Sequence, residues 1–206
     1  MTTIYLISNN ITNKNFINDK NNDNLEFRIK KLSLNNEGIN NAIKLSNYFK
    51  KINYIYSSEY NTSLETSNYL SYKLNRKVRI DNRLNLKKIG ITKLSQLPNY
   101  YHEQSYLDSN YKLDDGESQN DVRNRMYSII NELINKYNNK NIILVTHYIN
   151  IIYLLRIWCN IKYKEDIIYN NKVITNSTTN DPNIFKLTFN NNKIISIEYL
   201  SNLCIF

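Results

Sequence analysis

His147 is the side chain best placed for chemistry in this sequence. It follows the apolar run Ile142-Ile143-Leu144-Val145 and Thr146, and it precedes a second apolar stretch from Tyr148 to Trp158. That pattern predicts a buried strand running into a helix, with the imidazole at the junction. An imidazole there can serve as nucleophile, as general acid or base, or as a donor to a bound anion. It can equally be a hydrogen-bonded structural histidine that holds neighbouring loops. His102, the other histidine, lies in a stretch without periodicity and reads as a solvent-facing loop residue rather than a catalytic group.

The other reactive side chains offer less. Cys159 and Cys204 make neither a disulfide framework nor a metal spacing, and two histidines are too few for a His-rich metal centre. No metal or cofactor is expected. Asp114-Asp115-Gly116-Glu117 reads as a solvated turn before a helix, and Glu65 and Glu117 read as helix braces. Seven basic residues, Lys73, Arg76, Lys77, Arg79, Arg83, Lys87 and Lys88, cluster against the single acid Asp81. They form either a solvated face or a docking patch for an acidic protein or nucleic acid, with Tyr69, Tyr72, Tyr100 and Tyr101 near enough to stack on bases.

The chain of 206 residues carries 27 Lys and Arg against 18 Asp and Glu, a net charge of +9. It also holds 39 Asn and 18 Tyr but three Gly, two Pro and the lone Ala42. Asn, Ile, Lys and Tyr share A/T-rich codons, so coding bias accounts for much of the lysine. The charge therefore permits acidic partners without establishing one. A hydrophobic share of 41% is enough to bury a core. The longest apolar run is broken by Asn150 and Arg156 and is too short to span a bilayer. No signal peptide precedes the strand-like Thr3–Ile7, so the expected location is intracellular, cytoplasmic by default with an organelle left open.

The elements that must position His147 follow from periodicity. Thr3–Ile7, Tyr54–Tyr56, Val78–Ile80 and Ile142–Val145 read as short strands. Helices are expected from about Asn36 to Lys51, capped by Asn35 and with Ile39, Ala42, Ile43 and Phe49 inward, from Tyr60 to Leu74, from Ser118 to Tyr137, and from Tyr148 to Trp158. Residues 9–31 read as a long polar loop. Ile184–Phe189 and Ile194–Tyr199 flank three asparagines and read as a hairpin. Alternating strands and helices predict an α/β fold, a three-layer α/β/α sandwich on a mainly parallel sheet with a C-terminal β-hairpin. The whole chain, 1–206, reads as a single domain, with 83–115 a long loop or small lid inserted in it. Ligands in such folds sit at the carboxyl ends of the strands, where Ser8, Ser57 and His147 fall.

Five stretches in order resemble the histidine phosphatase superfamily, the phosphoglycerate mutase-like proteins. Tyr56-Ser57-Ser58-Glu59-Tyr60-Asn61-Thr62-Ser63-Leu64-Glu65-Thr66-Ser67 is similar to Y-S-S-P-L-x-R-A-x-E-T-A. The stretch from Leu34 to Ala42 is similar to L-T-x-x-G-x-x-Q-A, Arg83-Leu84 and Gly90 to R-L-x-E-x-x-x-G, Gly116-Glu117-Ser118 to G-E-S, and Val145-Thr146-His147 to V-S-H.

The resemblance implies a phosphohistidine mechanism: a histidine at the first strand end attacks phosphorus, two arginines and a second histidine hold the phosphoryl oxygens, and a glutamate protonates the leaving group. Carried over residue by residue, most of these groups are replaced. The family's R-H-G falls on Ser8-Asn9-Asn10, so an arginine becomes Ser8 and the nucleophile becomes Asn9. The second arginine falls on Thr62 and the acid on Leu86. The second histidine is kept as His147, and Thr12 and Asn15 match the following loop, leaving Thr12, Asn15 and His147 as ligand-contact candidates.

An amide is a poor nucleophile, and neutral hydroxyls bind phosphate roughly half as strongly as guanidinium groups. The expectation is a catalytically inactive pseudoenzyme that serves as a protein-interaction or assembly module. Two other readings stay open: a basic subunit binding nucleic acid or a ribonucleoprotein, and a phosphomonoesterase of phosphoglycerate mutase type with an altered mechanism.

Overall fold

Alternation along the central strands builds the layers of the molecule. The computed structural model describes residues 1–9, 12, 24–161, 166–175 and 182–200. In β1 (Thr2–Ser8) Ile4 and Leu6 turn to one face of the sheet and Ile7 to the other. In β4 (Asn141–Thr146) Ile142 and Leu144 join the first face, Ile143 and Val145 the second. Side chains alternate across a strand, so a strand apolar at every position is covered on both sides.

One cover is α5 (Gln119–Lys136) with α6 (Tyr148–Leu155), which contribute Val122, Met126, Ile129, Ile151 and Leu154. The opposite cover is α2 (Asn36–Tyr48) with α3 (Asn61–Leu74), through Leu45 and Leu70. With β2 (Tyr54–Ser57), β3 (Val78–Ile80), β8 (Ile184–Asn190) and β9 (Lys193–Tyr199), the six-stranded sheet has the order β3-β2-β4-β1-β8-β9. The first four strands are parallel, and β8 and β9 close the sheet as an antiparallel hairpin. The expected three-layer α/β fold and its C-terminal hairpin are present.

Asparagine does work here that glycine does in most chains. Asn75, Asn139, Asn170, Asn171, Asn191 and Asn192 all have positive φ. Asn191 and Asn192 form the turn of the terminal hairpin, which suits a side chain that tolerates the left-handed region.

Several expectations need correction. The polar stretch 9–31 contains a short helix, α1 (Leu25–Lys30), capped by the Asn24 side chain. The second helix ends at Tyr48 rather than Lys51, and Ile43 faces solvent while Gly38, Asn41, Leu45 and Ser46 are buried. The apolar helix after His147 stops at Leu155, short of Trp158. Between 83 and 115 lies α4 (Tyr101–Leu107), preceded by a 3-10 turn at Leu94–Gln96. A small three-stranded sheet, β5 (Asn160–Ile161), β6 (Ile167–Tyr169) and β7 (Lys172–Thr175), was not expected. Its strands are too short to show a period. Asn10, Asn15 and Cys204 lie outside the described residues.

Candidate functional site

Parallel β1, β2 and β4 end on the same side of the sheet, and a cavity of about 340 Å³ opens there. Asn9, Thr12, Tyr60, Thr62, Leu86 and His147 line it. Among its described lining residues none is charged.

His147 is at the N-cap of α6, where the chain is still extended. Its ring is almost fully buried, edge-on to Tyr60 at 5.0 Å. Burial, with the positive field of Arg125, pushes its pKa down to about 3. The imidazole is therefore neutral near pH 7. Nε2 lies 3.0 Å from the Ser58 hydroxyl, which also accepts the Tyr60 N–H at 3.1 Å. A hydroxyl has one proton and two lone pairs, so Ser58 either donates to Nε2 or accepts from it, according to the ring tautomer.

Asn9 and Thr62 meet across the cavity. Asn9 Nδ2 donates to Thr62 Oγ1 at 3.0 Å, and the Asn9 backbone N–H bonds to the Thr146 carbonyl. Ser8 is placed differently. Its buried hydroxyl accepts the Asn183 N–H at 2.7 Å, toward β8. Thr12 pairs with Leu34 in an isolated bridge at the rim.

The loop carrying Leu86 is held by a residue whose role the sequence analysis missed. Asn150, fully buried in α6, accepts the Lys87 N–H at 3.1 Å and donates to the carbonyls of Asn85, at 2.6 Å, and Leu84. The signal was a lone amide in the otherwise apolar run of α6; a buried amide there must have partners. Thr146 adds a bond to the Leu84 carbonyl at 2.7 Å.

The acids act as braces. Glu65 accepts the Leu34 N–H, Glu59 pairs with Lys30 and Asn85, and Glu117 forms a two-pronged pair with Arg125 while accepting the Lys88 N–H.

The seven basic residues do not share one face. β3 is an edge strand of the six-stranded sheet. Lys73, Arg76, Lys77 and Lys88 are exposed. Arg79 donates to the hydroxyls of Tyr56 and Tyr137, and Arg83 is tied to Asp81 and Glu132. Lys87 turns inward and is 6% exposed, because Asn150 fixes its backbone against α6. His102 sits on α4, on the wall of a second cavity. Among the described residues, no three His, Cys, Asp or Glu side chains come together as a metal site, and no helix is long and apolar enough to cross a membrane.

Solved structures share this fold. A mutant phosphoserine phosphatase from Entamoeba histolytica, in complex with phosphoserine, superposes with a TM-score of 0.71 at 15% identity, covering 100% of both chains. A mycobacterial glucosyl-3-phosphoglycerate phosphatase, in complex with VO3, gives 0.69 at 16% identity over 96% of each chain. YhfR from Bacillus stearothermophilus gives 0.66 at 16% identity over 95% of each. At such identities the likeness is one of fold. A comparison with curated proteins returns no match. The sequence profile of the histidine phosphatase superfamily, branch 1, matches residues 20–191, beginning beyond the strand end where R-H-G would stand. With most of its length inside that match, this chain belongs to the histidine phosphatase superfamily, branch 1.

Proposed function

We propose that this protein is a non-catalytic histidine phosphatase fold that works by binding, as a protein-interaction or assembly module. One observation carries the reading: the strand-end cavity has no charged lining side chain among the described residues, and Asn9 and Thr62 hydrogen-bond to each other. Phosphoryl transfer needs a nucleophile and permanent positive charge around the phosphorus. The remaining histidine is neutral and its Nε2 is engaged by Ser58, which suits a structural role.

Phosphoserine and glucosyl-3-phosphoglycerate, named for the structural neighbours, are the substrates to try, beside p-nitrophenyl phosphate at high protein concentration. The wild type is expected to be silent. Asn9→His with Thr62→Arg and Leu86→Glu should gain slow turnover. Adding Ser8→Arg should help less, because Ser8 is directed at Asn183. Wild-type turnover that vanishes in His147→Ala would overturn this reading and support an altered-mechanism phosphomonoesterase.

Binding to nucleic acid is the second reading. It is favoured by Tyr72, 92% exposed beside the exposed Lys73 and Lys77. It requires an affinity that falls steeply with salt and is lost in Lys73→Glu with Lys77→Glu.

A further inference from the structure

Lys87 is a buried cation for which no carboxylate partner is found among the described residues. It is 6% exposed, and its ammonium has one long hydrogen bond, to the Ser105 hydroxyl at 3.3 Å. The rings of Tyr101 and Tyr153 stand 5.1 and 5.4 Å from Nζ. The nearby acids are committed elsewhere: Glu117 to Arg125, and Asp121 to Lys112 and the Ser118 N–H. An ammonium has three donors, so at least one points without an acceptor into its surroundings. Those surroundings are a cavity of about 390 Å³ walled by Leu86, Tyr101, Tyr106, Ile149 and Tyr153. Tyr101 lends its ring to that wall, while its hydroxyl is buried beside the Ser105 hydroxyl and is not open to the cavity.

Burying a charge without a partner is costly, and here the cost falls beside empty apolar space. The missing component is an anion with an apolar body. One ammonium matches the single charge of a carboxylate. A phosphate dianion would need a second permanent cation, and besides Lys87 the described wall carries only the imidazole of His102. The volume lies within the usual range for small-molecule sites.

We propose that this cavity binds a small amphipathic monocarboxylate, its carboxylate held by Lys87 Nζ and its body packed on Tyr153, Ile149 and Leu86. The site is separate from the strand-end cavity but shares Leu86 and Ile149 with it, so an occupant would bear on both. It does not depend on whether the strand-end cavity catalyses.

Calorimetric titration of the full chain with 3-phenylpropionate tests this, beside the neutral 3-phenylpropan-1-ol and the dianionic phenyl phosphate. The carboxylate should bind at least tenfold tighter than either. Lys87→Met should reduce its affinity at least tenfold. Should Lys87→Met fail to fold, the wild type supplies the answer. Bound 3-phenylpropionate must slow reductive methylation of Lys87 while leaving the exposed Lys88 unchanged. Absence of binding at millimolar concentration, equal binding of the alcohol, or unaltered methylation of Lys87 would each overturn the proposal. Tighter binding of phenyl phosphate that is lost in Thr62→Val would do so too, by placing the ligand in the strand-end cavity.

Discussion

Asn9 Nδ2 donates to Thr62 Oγ1 at 3.0 Å, joining the end of β1 to the first turn of α3. These are the positions where the family resemblance puts a nucleophile and a cation. Here they form a neutral pair that satisfies itself, which leaves an anion little to bind. Inorganic phosphate should therefore bind the wild type no tighter than millimolar. Asn9→His with Thr62→Arg restores one imidazole and one guanidinium, and a charge-assisted bond is about twice as strong as a neutral one. Calorimetry with phosphate should show at least a tenfold gain for the double variant. No gain would mean that the cavity has closed too far to be rebuilt by two residues.

His147 gives the protein an acid sensitivity whose sign is fixed by burial. Its pKa is about 3 in the folded chain, against an ordinary value of 6.5. Between those values the unfolded chain takes up a proton that the folded chain refuses, so stability falls as pH drops below 6.5. From pH 7.5 to 5.5 the wild type should lose about 1.4 kcal/mol through this group alone. His147→Gln keeps a hydrogen-bond partner for Ser58 and should lack that slope. Urea unfolding at the two pH values reads the difference, and parallel slopes would show that His147 is protonated in the folded chain.

Lys87 has a pH dependence of the same sign, displaced to alkaline pH. Burial pushes its pKa down to about 8, with Glu117 and Asp121 opposing from a distance. Facing it are Ser105 and the phenols of Tyr101 and Tyr153, both raised by burial and so uncharged at moderately alkaline pH. Above pH 8 the folded chain sheds the proton while the unfolded chain holds it to about 10.5, so stability rises with pH across that window. Lys87→Met should be more stable than the wild type by about 2 kcal/mol at pH 7, with the gap narrowing toward pH 9.5. Thermal unfolding of the two proteins across that range would expose a constant gap, which is what a merely structural lysine would give.

Asn150 is the support for the loop that carries Leu86 and Lys87. Its side chain accepts from the Lys87 N–H and donates to the carbonyls of Asn85 and Leu84. Asn150→Leu matches the volume and apolar character of α6 but leaves the Lys87 N–H and the Asn85 carbonyl unpaired, at about 1–3 kcal/mol each before relaxation, while the Leu84 carbonyl keeps its bond from Thr146. A loss of about 3 kcal/mol in urea unfolding is expected. Amide exchange should rise at Lys87 more than at the distant β8.

The strands and long helices were legible because a period of two or of about 3.6 is written into Ile142–Val145 and Val122–Leu133. Alternating strands and helices pointed to the carboxyl ends of the strands, and the order of the motifs to Asn9, Thr62, Leu86 and His147, which line one cavity there. What the sequence hid depends on direction. Lys87 and Lys88 are adjacent and alike in type, yet one is buried and the other exposed. Asn150 decides between them from 63 residues away, and no local pattern encodes that bond. Ser8 was likewise aligned with a cavity position, but its hydroxyl is taken by the N–H of Asn183, just ahead of β8 and far along the chain.

Gly90 and Gly116, from two separate family motifs, touch through their backbones. A Cβ on Gly90 would lie 2.4 Å from the Gly116 nitrogen, and one on Gly116 would lie 2.5 Å from the Ile89 carbonyl oxygen. Gly90 also has φ of +87°, which an L side chain adopts only under strain. The contact is reinforced by Glu117, whose N–H bonds to the Lys88 carbonyl while its carboxylate accepts the Lys88 N–H. Backbone cannot step aside as a flexible side chain can, so Gly116→Ala must push the 85–90 loop away from the start of α5. The expected loss is about 2 kcal/mol or more in unfolding free energy, with Gly90→Ala costing more because strain adds to the clash. The same displacement should loosen Leu86 and Lys87, so 3-phenylpropionate binding should weaken in Gly116→Ala even where the protein remains folded. Binding unchanged in a destabilised Gly116→Ala would mean that the cavity is held by Asn150 alone.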